Sequence, residues 1–134
     1  MKIKGLDGKK YSWSFYGQMP DISDERKRSS LHIRARTLLK SLYPVDRILE
    51  EVHLPGSGGL YADFWLPLRN KIIEVHGEQH YKFIPFFHGT QINFLSSRAN
   101  DNNKIEWCSV NGITLVELPF NESDEQWKSR IQSD

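Results

Sequence analysis

Between residues 47 and 118 the chain carries four strand-length apolar runs, and the gap before the last is far too long for a turn. Residues 47–54, 60–66 and 71–76 are separated only by Pro55-Gly56-Ser57-Gly58-Gly59 and by Pro67-Leu68-Arg69-Asn70. Turn formers at that spacing predict an antiparallel meander of three strands. The fourth run, 113–118, follows a polar segment over about 91–110 that reads as a helix ended by Asn111-Gly112. A strand reached through a helical crossover is expected to lie parallel to a central strand. Its unbroken apolar core, Ile113-Thr114-Leu115-Val116, predicts burial on both faces. The expected fold class is therefore α/β (α+β): a mixed central sheet of about four strands flanked by helices.

Two helices complete the plan. Ser23 before Asp24-Glu25 reads as an N-cap, and Leu31, Ala35, Leu38, Leu39 and Leu42 repeat at helical spacing, which predicts a helix over 24–42. Asp124 opens a short closing helix over 124–131. At the other end, Leu6-Asp7-Gly8 between Lys2-Ile3-Lys4 and Lys9-Lys10-Tyr11 predicts a small hairpin, so residues 1–22 read as an extension and 23–134 as the main domain.

Composition limits the function classes. No apolar run approaches the ~18–20 residues a membrane span requires. The single cysteine, Cys108, excludes an internal disulfide framework and zinc sites built on cysteine pairs, and fits a reducing compartment. The first residues, Met1-Lys2-Ile3-Lys4-Gly5, lack the apolar stretch of a secretory signal, so the expected location is cytoplasmic. Charge is uneven: residues 1–47 hold 11 Lys and Arg against 5 Asp and Glu, and residues 48–134 hold 7 against 12. A basic front half offers polyphosphate a seat, and an acidic back half offers carboxylates to a divalent cation.

The densest chemistry lies where core residues are expected, in Tyr61-Ala62-Asp63-Phe64-Trp65-Leu66 and Ile72-Ile73-Glu74-Val75-His76-Gly77-Glu78-Gln79-His80. A carboxylate inside each of two adjacent strands costs several kcal/mol in desolvation unless a cation compensates it. Alternation puts Glu74 and His76 on one face, and a hairpin of this length can set Asp63 beside Glu74. Paired carboxylates favour Mg²⁺, with Mn²⁺ as a substitute, and such a centre suits phosphodiester hydrolysis with His76 as a neighbouring acid or base. Gln79 and His80 leave the same strand, where they would touch phosphate or water or stabilise the turn. His76 and His80 share the spacing of a zinc pair, but that spacing converges only in a helix, and Gly77 argues against one.

The string Asp63-Phe64-Trp65-Leu66-Pro67, then Ile72 to Tyr81, a Phe-rich loop, Asp101, Lys104, Glu106-Trp107-Cys108 and Asn111-Gly112-Ile113 resembles the Vsr-like, or EDxHD, branch of the PD-(D/E)XK nuclease superfamily. These are small phage and intron-associated homing endonucleases, and the resemblance covers roughly residues 28–120. It implies a restriction-endonuclease-like core, with Asp63 and Glu74 as metal-binding acids, His76 where many relatives carry lysine, and Asp101 as the branch's late acid. The chain departs from the pattern in helix one, where Ser29-Ser30-Leu31 leads into His32 instead of a glutamate. Glu25, Glu51 or His32 itself are the substitutes.

The expected function is a metal-dependent endonuclease acting on double-stranded DNA, by nicking or by cutting both strands. Its candidate nucleic-acid contacts are Arg28, Arg34, Arg36 and Lys40 on helix one, together with Gln79, Lys104 and the basic hairpin. With no appended reading module, a homodimer or partner protein would supply the rest of the footprint. The alternative is a nucleic-acid-binding or protein-interaction module on the same fold that does not cleave. Cys108 reads as structural, and Trp65, Trp107 and Trp127 as core.

Overall fold

The computed structural model describes residues 1–15, 29–78 and 91–133. Their elements run β1 (Lys2–Lys4), β2 (Lys10–Ser12), α1 (Ser30–Leu42), β3 (Leu49–His53), β4 (Tyr61–Leu66), a 3-10 turn (Pro67–Arg69), β5 (Lys71–His76), α2 (Gln91–Val110), β6 (Thr114–Pro119) and α3 (Asp124–Gln132). The main sheet has the order β3-β4-β5-β6, and β1 and β2 form a separate antiparallel pair. β3, β4 and β5 are antiparallel neighbours. β6 returns parallel to β5 after α2, with Ile72 opposite Leu115 and Glu74 opposite Glu117. The mixed sheet with helices on both faces is the architecture expected from the sequence.

Alternation along the strands builds the two cores. Phe64, Leu66, Ile73, Val116 and Leu118 face α1 and α3, where they pack on Ala35, Leu38, Leu39, Trp127 and Ile131. Trp65, Ile72 and Leu49 face the other way, onto Trp107 and Cys108 of α2 and onto Ile3 and Trp13. Trp13, Trp65 and Trp107 meet there, with ring centroids 4.8 and 5.2 Å apart around Trp13. Aromatic contacts of this kind add about 0.5–1.5 kcal/mol each beyond burial. Ile3 and Trp13 thus pack the hairpin segment into this second core.

One boundary differs from expectation. The N-cap of α1 is Ser29, whose Oγ accepts from the His32 N–H at 3.0 Å; Ser23 and Glu25 lie outside the described residues. β6 is the edge of the sheet, with Val116 and Leu118 buried and the residues between them only half-buried. Its apolar run nevertheless serves both faces, as expected: Ile113 and Leu115 pack into the core under α2, and Val116 and Leu118 into the core under α1 and α3. α3 opens on a reciprocal cap, in which Ser123 and Gln126 each bond the other's backbone N–H. No helix among the described residues is long and apolar enough to cross a membrane.

Candidate active site

β4 and β5 stay in register from Leu66 opposite Lys71 to Phe64 opposite Ile73, and the ladder ends there. The next pair would be Asp63 and Glu74. In place of backbone pairing, the two carboxylates take over: the Asp63 N–H donates to Glu74 Oε2 at 2.7 Å, and the Val75 N–H donates to Asp63 Oδ2 at 2.9 Å. Asp63 also marks a gap on its other side. The β3–β4 register pairs Glu50 with Phe64 and Val52 with Ala62 but skips Glu51 opposite Asp63, and Glu51 has a left-handed backbone with φ of 52°. Asp63 therefore sits where the sheet opens on both sides.

The α2 helix closes the site from above. Lys104 Nζ donates to Glu74 Oε1 at 2.6 Å, a pair whose side chains are 18% and 4% exposed. Burial and the adjacent Asp63 carboxylate push the Glu74 carboxyl up to about 7, with Lys104 pulling against them. Burial works against the Lys104 ammonium, yet Glu74, Asp63 and Asp101 together hold its pKa above the ordinary lysine value. Behind them, burial and the Glu74 charge push the Cys108 thiol up to about 12, so it is an inert core side chain. A cleft of about 600 Å³ opens on this cluster, lined by Glu51, Tyr61, Asp63, Asn100, Asp101 and Lys104 among others.

The pair fits a hard divalent cation. Each carboxylate oxygen has two acceptor sites, and the hydrogen bonds named above leave acceptor capacity on Asp63, which lines the cleft, and on Glu74 buried behind it. Among the described residues no group of three or more His, Cys, Asp or Glu side chains is arranged to hold a metal ion. The fit is that of an ion kept by one or two carboxylates and water, as Mg²⁺ prefers.

The remaining candidates divide. Asp101 lines the cleft. His76 follows Glu74 on the same face of β5, with Nδ1 3.4 Å from Glu117 Oε2, and it is buried. His32 is not brought to the carboxylates: it stands on the opposite face of the sheet, stacked on the Phe64 ring at 4.6 Å and bonded to Glu50. Arg36, expected at a DNA face, is fully buried, with Nε 3.0 Å from Glu50 Oε2. Although burial opposes ionisation, His32 and Arg36 hold the Glu50 carboxyl below its ordinary range. Arg34 is committed to α3, donating to Asp124 Oδ1 at 2.6 Å and to the Glu122 carbonyl at 2.7 Å. Its guanidinium also lies 3.7 Å over the Trp127 ring. Lys40 is exposed in the last turn of α1. Lys104 serves the carboxylate cluster, whereas the sequence pointed it at phosphate. Arg28, Gln79 and His80 lie outside the described residues.

Sequence reasoning missed the Lys104–Glu74 pair and the left-handed backbone at Glu51. Asp101 and Lys104, three apart on one helix, carried a signal for the first, since that spacing shares a face. Nothing local signals a left-handed glutamate.

Part of the chain is similar to two viral proteins. It is 36% identical over 69 residues, 52% of this chain and 35% of the relative, to "Uncharacterized protein 307L" of Invertebrate iridescent virus 6. It is 35% identical over 61 residues, 46% of this chain and 31% of the relative, to "Uncharacterized protein 033L" of Invertebrate iridescent virus 3. The chain spans about a third of the length of the curated relatives it matches. No protein-family model and no solved structure matches it.

Proposed function

We propose that the chain is a Mg²⁺-dependent endonuclease that hydrolyses phosphodiester bonds in double-stranded DNA. The observation that carries this reading is the Asp63–Glu74 pair, set where both strand ladders break, with Asp63 and Lys104 lining a cleft and Glu74 buried between them. Carboxylates at the centre of a sheet are costly, and a chain keeps them there for a cation-dependent task more readily than for stability. Asp63 and Glu74 would hold the ion. When bound, it polarises the scissile phosphate and lowers the pKa of water.

The chain's own residues divide the remaining work. The ladder break brings the two carboxylates together at the base of the cleft, where the Val75 N–H orients Asp63 and the Asp63 N–H orients Glu74. Lys104 keeps the Glu74 charge tolerable and sets a positive charge beside the phosphate oxygens. In hydrolysis a water oxygen bonds to phosphorus, the P–O bond to one sugar breaks, and the water's proton ends on the departing sugar oxygen. His76, held by Glu117, is the group on the same strand face suited to move that proton.

A second reading, a binding module of the same fold without cleavage, is favoured by one observation: the chain itself supplies a counter-charge to Glu74 in Lys104. One assay separates the two. Purified protein with supercoiled plasmid and Mg²⁺ or Mn²⁺ is expected to give open-circle or linear DNA, and EDTA or Asp63→Ala to abolish it. Intact plasmid with either metal, beside measurable DNA binding, would decide for the binding module.

A further inference from the structure

Several cations outside the N-terminal hairpin are spoken for within the fold. Arg34 is held by Asp124 and Trp127, Arg36 by Glu50, Lys104 by Glu74, and Lys71 by the carbonyls of Ile131 and Ser133. The N-terminal hairpin is the contrast. Its register sets Lys2 opposite Ser12, Ile3 opposite Tyr11, and Lys4 opposite Lys10. Ile3 is buried against the aromatic core, so alternation turns Lys2, Lys4 and Lys10 outward together. Among the described residues none of these three side chains has an acidic partner.

Lys4 and Lys10 face each other directly, an arrangement that weakens a strand pair. The hairpin bears it because other contacts hold it in place. Asn111 clamps Lys4, accepting from its N–H at 2.7 Å and donating to its carbonyl at 2.9 Å. The Leu6 N–H donates to the Gly56 carbonyl at 2.8 Å. The result is a rigid, uncompensated cationic face beside a groove of about 830 Å³ lined by the lysines, Tyr11, Val110 and Asn111.

We propose that this hairpin face is the docking surface for the sugar-phosphate backbone of DNA, an inference that rests on the nucleic-acid reading above. The three lysines spread over one face of the pair, Lys2 and Lys4 about 7 Å apart along β1 and Lys10 about 5 Å across from Lys4. Cations spread over a face in this way meet more than one phosphate of a polyanion, which a single small anion does not offer. Rigid presentation lowers the ordering cost of binding, and contacts of this kind give affinity and salt dependence without sequence choice.

The test is binding of a labelled 20-base-pair duplex to the full chain in EDTA, by fluorescence anisotropy between about 50 and 300 mM KCl, where no cleavage can intrude. The variant K2Q/K4Q/K10Q is expected to bind at least about 10-fold more weakly near 100 mM salt, with the slope of log K against log salt reduced by about 2 to 3. Its melting temperature is expected to match or exceed wild type, since a like-charge pair is removed, and K2R/K4R/K10R is expected to bind as wild type does. Unchanged affinity and slope in the glutamine variant would overturn the proposal. So would a wild type that ignores the duplex, whether or not it binds vesicles rich in phosphatidylserine through the same lysines. Duplex binding lost in the glutamine variant, with plasmid left uncut by wild type, would uphold the docking face and sink the nuclease reading alone.

Discussion

Replacing Glu74 with glutamine should flatten the pH dependence of stability over a defined window. In the folded chain burial and Asp63 lift this carboxyl from its ordinary 4.5 to about 7. At ~1.36 kcal/mol per pH unit the difference amounts to about 3 kcal/mol. The sign follows from proton uptake: between these two values the folded chain holds a proton at Glu74 that the unfolded chain has released. This contribution to stability is complete below pH 4.5 and is lost as pH rises through about 7. Lys104, whose pKa is raised from 10.5, stays charged throughout and adds no slope there. Urea unfolding of wild type and Glu74→Gln in EDTA at pH 4.5, 6 and 8 should therefore show the variant gaining on wild type by roughly 3 kcal/mol across the series. That is a large share of the ~5–15 kcal/mol that holds a domain of this size together. Parallel pH profiles for the two proteins would refute the argument that Glu74 is a desolvated carboxylate crowded by Asp63. The same reasoning makes stabilisation by Mg²⁺ larger at pH 8 than at pH 5.5, since the cation favours the ionised form, and absent in Asp63→Ala.

Glu51 holds a φ of 52°, which costs a non-glycine residue about 1 kcal/mol; Glu51→Gly should raise the melting temperature by a few degrees, and a fall would show that its side chain contributes more than its backbone strain costs. Gly56 has a φ of 71°, and a Cβ there would come within 2.5 Å of the Gly5 Cα, so Gly56→Ala should destabilise the chain by more than about 1 kcal/mol and expose the hairpin to protease. Cys108, its thiol pushed up to about 12 by burial, should resist iodoacetamide at pH 8 in the native state and react at once in guanidinium; rapid native labelling would contradict the packing of α2. Glu50→Gln should cost about 3 kcal/mol or more in chemical unfolding, because it leaves the buried Arg36 without its counter-charge.

Much of this architecture is written in short-range pattern. The α2 helix ends at Asn111-Gly112 because Gly112 takes a φ of 65° that few other residues accept. Alternation sends Phe64 and Trp65, and Ile72 and Ile73, to opposite cores. It also put Asp63 and Glu74 on one face of the sheet, which made their pairing legible before any coordinates. Spacings of two, three and four residues encode these facts, so a linear reading recovers them. The start of α1 was less legible, because Ser23 and Ser29 are both competent caps.

The partners of charged groups belong to the tertiary structure. Arg34, Arg36 and Lys104 look alike in sequence, yet one stacks on Trp127, one is buried on Glu50, and one reaches Glu74 from a helix 30 residues further along the chain. Long flexible cations pair with whatever carboxylate packing brings within reach, and no local period records which. The left-handed turn at Glu51 is likewise imposed by strands that part around Asp63, against the residue's own preference. Sequence determined the sheet, its faces and the two acids at its centre. Tertiary packing decided which cations compensate them and which, on the hairpin, are left facing outward.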